Sequence, residues 1–124
     1  MATVAVTSTN IVGGITRYTA TPLTFTGLDV TADALDAPDF RHKEVQVLGT
    51  FGVGGTLLIE GSLDGGTTWA TLNDVQGNAL SFTSARIEKI QETVAKIRAR
   101  VSAGDGTTSL TVVFVMVSGG AYGA

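Results

Sequence analysis

Cysteine is absent from the 124-residue chain, so neither disulfides nor thiolate metal sites can hold it, and stability has to come from packing, alone or with further copies. Proline occurs twice and histidine once. Charged residues make up 15%, and the formal charge of −3 is too small and of the wrong sign for bulk attraction to nucleic acid or an anionic membrane. No apolar run approaches the roughly 18 residues of a membrane span. The opening Met1-Ala2-Thr3-Val4-Ala5-Val6 has neither the basic region nor the apolar stretch of a signal peptide. The expectation is a protein made and soluble in the cytoplasm, with no membrane or nucleic-acid partner. The length fits one domain, 1–124, without room for a separate catalytic layer.

What the chain does have is glycine, sixteen of them, with abundant Thr and Val. That composition suits pleated, half-buried surfaces joined by tight turns. Period-two alternation appears at Val4 and Val6, ending at Gly13-Gly14, and again over Thr21 to Leu28. From Asp29 to His42 four aspartates and Pro38 predict a loop, with one helical turn capped by Thr31 as an option. Residues 1–42 as a whole are read as an N-terminal segment open to use as an attachment arm. Strands are predicted over Glu44 to Phe51, Thr56 to Leu63, Thr67 to Leu72 and Ala79 to Thr83, with turns at Gly52 to Gly55, Asp64-Gly65-Gly66 and Asn73 to Asn78.

Ala85 to Ser102 fits two periods. Ile87, Ile90, Val94, Ile97 and Val101 recur at helical spacing, whereas Ala95, Ile97, Ala99 and Val101 alternate with Lys96, Arg98 and Arg100. The strand neighbourhood favours a split, irregular near Ile87 to Ile90 and a strand over Val94 to Ser102, with helix left as the alternative. After the turn Gly104-Asp105-Gly106, Ser109 to Val117 puts Leu110, Val112, Phe114 and Met116 on one face and Val113, Val115 and Val117 on the other. The second face needs a cover, and Val113, Val115 and Val117 are the candidate interface of a homo-oligomer, since such a surface left bare invites aggregation. Residues 118–124 are expected to form a flexible tail. Seven or eight short strands with Gly/Asp turns predict an all-β fold, an antiparallel β-sandwich or jelly-roll-like single domain.

No constellation supports catalysis, and no catalytic, metal or cofactor site is assigned. His42 stands between Arg41 and Lys43 with no nucleophile turn nearby. Asp29, Asp33, Asp36 and Asp39 offer hard oxygen ligands, but their spacing matches no calcium loop. Lys96, Arg98 and Arg100 form a basic stripe with residues about 7 Å apart, suited to an acidic protein surface or to cross-strand carboxylates and lacking the aromatic residues of a single-strand nucleic-acid site.

Ser62-Leu63-Asp64-Gly65-Gly66-Thr67-Thr68-Trp69 resembles the Asp-box hairpin of sialidases, which there implies a structural turn. In that pattern Ser62, Asp64, Gly66 and Thr68 tie the turn and Trp69 packs beneath it. Core anchoring of Trp69 is the reading preferred here over stacking on a sugar. The wider stretch Glu60 to Leu72, and Lys96 to Ser102 with Thr108 to Val112, are similar to segments of small structural proteins of tailed bacteriophages. The resemblance implies a virion decoration, or cement, protein on the capsid exterior, typically trimeric, whose partner is the major capsid protein. On that reading Lys96, Arg98 and Arg100 are the candidate capsid contact. A carbohydrate-binding adhesin module and a tail-tube or baseplate subunit are the alternatives.

Overall fold

The computed structural model describes residues 4–12, 15–27, 29–36, 40–92 and 94–118, and every regular element among them is a strand. Two antiparallel sheets face each other as a β-sandwich. The first carries β1 (Val6–Val12), β2 (Ile15–Thr24), β11 (Ser109–Ser118), β5 (Phe40–Thr50) and β9 (Arg86–Lys89), in that order across the sheet. The second is built on two long central strands, β6 (Thr56–Ser62) and β10 (Lys96–Ala103). Four two-residue strands flank them: β3 (Val30–Thr31) and β4 (Leu35–Asp36) against β10, β7 (Ala70–Thr71) and β8 (Ser81–Phe82) against β6.

The period-two pattern places the core. Val45 and Val47 on β5, Leu110, Val112, Phe114 and Met116 on β11, and Leu23 on β2 turn inward from the first sheet, all at 1% exposure or less. Leu57 and Ile59 on β6, Ile97, Ala99 and Val101 on β10, and Phe82 meet them from the second. Burying side chains of this size stabilises by about 1.5–3 kcal/mol each. Gly49 lets β5 and β11 close: its φ is +117°, and a Cβ there would lie 2.5 Å from the Ser109 carbonyl oxygen.

Several boundaries differ from those read in the sequence. β2 starts at Ile15 rather than Thr21, and residues 6–12 and 15–24, inside the segment considered as an arm, are body of the first sheet, with β2 pairing the central β11. β5 starts at Phe40, not Glu44, because its first turn of alternation is polar: Lys43 points inward and is fully buried opposite Met116. Over 29–36 there is no helical turn; Thr31 is a strand residue paired with Arg100. Thr67 to Leu72 contributes only β7, since the hairpin loop takes the earlier residues. The helical option for 85–102 fails, because β9 and β10 are each paired to neighbouring strands that align their backbone donors. Gly13-Gly14, Leu28, Pro38, Asp39 and the tail beyond 118 lie outside the described residues.

Candidate functional site

The hairpin loop from Ser62 to Trp69 is organised by one carboxylate. Asp64 Oδ1 accepts from Ser62 Oγ (2.8 Å), Thr67 N (3.1 Å) and Thr68 N (2.9 Å), while Ser62 Oγ accepts from Gly66 N (2.9 Å). Gly65 and Gly66 take positive φ, 81° and 100°, so the loop can curl around that oxygen. Hydrogen bonds to its ionised form, that from Thr68 foremost, hold the Asp64 carboxyl at about 2. The bonds tie Ser62, Asp64, Gly66 and Thr68 into one turn, as the motif implied. Asp105 organises the 104–108 turn similarly: it accepts from Thr107 Oγ1 (2.6 Å), Thr107 N (2.8 Å) and, across the loops, Val53 N (2.8 Å), which brings its carboxyl to about 2.

Trp69 corrects the expectation of a core anchor. The register of β6 with β7 pairs Gly61 with Ala70 and Glu60 with Thr71, so the preceding Trp69 falls beside Ser62 on the outer face of the second sheet. The ring is half-buried there, outside the core. Its Nε1 donates to the Gly66 carbonyl (2.9 Å), and the Arg98 guanidinium lies over it, 4.1 Å from the ring centroid. That covered ring face is closed to sugar stacking.

The basic stripe is present in geometry and absent in charge. Along β10, Ile97, Ala99 and Val101 are buried while Lys96, Arg98 and Arg100 line the outer face. Glu60, directly opposite Arg98 and only 5% exposed, receives Arg98 Nε at 2.9 Å and Arg100 Nε at 3.0 Å. Arg100 also pairs with Asp29, and Lys96 Nζ with Asp36 at 2.6 Å. Three cations thus meet three carboxylates, Glu60, Asp29 and Asp36, which disperses the long-range field an acidic partner would feel. The same pairing separates the aspartates considered for calcium: Asp29 and Asp36 sit near opposite ends of β10. Among the described residues no group of three His, Cys, Asp or Glu side chains is placed to hold a metal ion. Beside the hairpin an open groove of about 420 Å³ is lined by Leu63, Thr68, Leu72, Glu92 and Val94. Glu92 is fixed there by Asn73, whose backbone N (2.8 Å) and Nδ2 (2.7 Å) donate to it.

The outer face of the first sheet differs from this neutral ladder. Val113, Val115 and Val117 run down its central strand and are half-buried by their neighbours alone. Ile87 (61% exposed) and Leu48 extend the apolar surface across β9 and β5, with threonines on β1 and β2 beyond. His42 sits on this face beside Val117, away from any nucleophile of the hairpin site.

The chain is similar in fold to a prophage-derived protein. The crystal structure of SPBc2 prophage-derived protein YomS superposes with a TM-score of 0.63 over 89% of this chain and 100% of that one, at 13% sequence identity. No family model and no curated protein matches the sequence. At that identity the likeness concerns the fold, a whole-chain match of one sandwich to another.

Proposed function

We propose that this chain is a structural protein of a bacteriophage particle, which decorates the capsid exterior by binding the shell of major capsid proteins and acts without catalysis. The observation that carries the reading is a sandwich with two different outer faces, the valine face of β11 left uncovered for self-association with other copies and the long-strand face of β10 closed by its own ion pairs and left for the shell. One surface is finished and the other is built to be covered. The whole-chain fold likeness to a prophage-derived protein supports a phage setting, as do the segments around Glu60 to Leu72 and Lys96 to Val112 that resemble virion modules. Copies would act together, each contributing modest burial of β surface, so that shell stabilisation grows with their number. With its charge already paired, the Lys96, Arg98 and Arg100 ladder would meet the shell through shape rather than long-range attraction. The adhesin reading loses support where Arg98 covers Trp69.

The test mixes purified protein with undecorated heads, and separately with tails, from the phage that encodes it. Saturable co-sedimentation with heads and a rise in their disruption temperature is the expected result. Binding to tails alone, or to neither, overturns capsid decoration.

A further inference from the structure

The ionic groups of the described residues divide sharply by location. Arg98 and Arg100 are matched to Glu60, Lys96 to Asp36, Arg86 to Glu88, and Asp64, Asp74 and Asp105 to the backbone of their own turns. Arg17, Glu44 and Lys89 have no such intramolecular partner among the described residues, and all three project from the outer face of the first sheet, around the valine stripe.

Their register is ordered. Val115 pairs with Arg17 on β2 and with Glu44 on β5, and Glu44 pairs in turn with Lys89 on β9. Reading across the sheet from β2 to β9, the row is positive, apolar, negative, positive, with Val115 midway between Arg17 and Glu44, which stand about 10 Å apart, and Lys89 one strand beyond Glu44. Such a row is complementary to itself. A half-turn about an axis lying along β11, in the plane between two stacked sheets, puts Val115 over its own copy and each Arg17 over Glu44 of the partner subunit. The same rotation lays Val113 on Val113 of the partner subunit. A two-fold axis across the strands would not superpose opposite charges in this way.

We propose that the outer face of β11 is an isologous two-fold interface with a second copy of this chain, registered by reciprocal pairing of Arg17 with Glu44. An open groove of about 310 Å³ lined by Glu44, Gln46, Ile87, Val113 and Val115 lies where the partner's Arg17 arrives. It accepts the aliphatic stem while the guanidinium meets Glu44. The face measures about 24 Å by about 20 Å, on the order of 500 Å² per partner, at the small end of specific interfaces. This inference rests on the self-association in the reading above and not on the capsid partner; dimer mass and head binding are measured separately. A three-fold ring would join two different patches and leave the self-complementary row unused.

Sedimentation equilibrium over roughly 1–200 µM tests the pairing. The parent is expected at twice 12.7 kDa in the upper part of that range. Arg17→Glu and Glu44→Arg, which each set like charges against one another twice per dimer, should weaken association by roughly ten- to a hundredfold, with thermal unfolding of the monomer unchanged in Arg17→Glu and slightly lowered in Glu44→Arg, which faces Lys89. Combining the two substitutions restores opposite charges and should recover association to within about threefold of the parent. A parent that is monomeric throughout, a trimer, single variants that associate like the parent, or a double variant no better than the singles each overturns the proposal. Dimerisation with no binding to heads would leave this interface standing and sink only the capsid role.

Discussion

Glu60→Gln is the perturbation on which the description of the second sheet depends most. The carboxylate is 5% exposed and accepts from two guanidinium groups, and charge-assisted bonds of this kind contribute about 1.5–3 kcal/mol each. The amide keeps one acceptor oxygen but turns an N–H toward one of the arginines, donor against donor. Removing one partner of a fully buried pair costs about 3–5 kcal/mol, but here the loss is smaller. The side chains of Arg98 and Arg100 retain 24% and 25% of their exposure, so each released guanidinium can reach water, and Arg100 keeps Asp29. The expected cost is about 2 kcal/mol, a fall in Tm of roughly 6–10 °C for a chain of this size. Urea denaturation followed by Trp69 fluorescence measures it, with the slope unchanged. Asp36→Asn is the comparison: Asp36 is 76% exposed, and its pair with Lys96 should contribute no more than about 0.5 kcal/mol and vanish at roughly 0.5 M salt, whereas most of the Glu60 effect should persist. A Glu60→Gln loss as small and as salt-sensitive as that of Asp36→Asn would refute the account of a buried ionic ladder.

Trp69→Ala should cost about 1–2 kcal/mol by thermal unfolding, the sum of one hydrogen bond and one cation–π contact, and not the larger loss of an emptied core site. Phe82→Ala, by contrast, empties a fully buried position between the sheets and should cost about 3–5 kcal/mol in the same assay. Acid titration should expose the turn carboxylates: Asp64 and Asp105 are held at about 2 in the folded chain against 3.8 unfolded, so the stability they contribute is complete above pH 3.8 and is lost as pH falls toward 2. Urea midpoints across that window should fall less steeply in Asp64→Asn than in the parent.

The strands that were legible in the sequence are those whose inner face is apolar throughout. β10 and β11 alternate Ile, Ala and Val, or Leu, Val, Phe and Met, against polar or valine positions, and burial follows that alternation residue by residue. The illegible stretches are those in which an inward position carries a polar group. At the start of β2 the inward residues are Thr16, Tyr18 and Ala20, too weak an apolar signal to mark a strand, and at the start of β5 the inward residue is Lys43. Burial lowers the pKa of Lys43, and the Glu92 carboxylate offsets only part of that shift, an interaction with a residue 49 positions away that no local pattern reveals. The aspartate-rich segment failed for a related reason. Its two-residue strands β3 and β4 have no periodicity of their own and exist only because β10 offers them an edge.

The same distinction governs the sites. The Asp64 turn was readable because its donors lie within four residues of the acceptor, so the motif and its hydrogen bonds are one object. The stripe of Lys96, Arg98 and Arg100 was readable as a stripe, but its charge balance was not, since its partners stand 38, 60 and 71 residues away. Which charges matter for association therefore depends on which ones the fold has already consumed. Net charge obscures this: a chain at −3 still leaves a cation, an anion and a second cation unspent on one sheet face. Val113, Val115 and Val117 could be singled out from their alternation alone, whereas Arg17 and Glu44 acquire meaning only when β11 is found between β2 and β5, with both residues level with Val115. The valines supply area without direction, and the flanking pair supplies direction, so specificity of assembly on this face follows from topology.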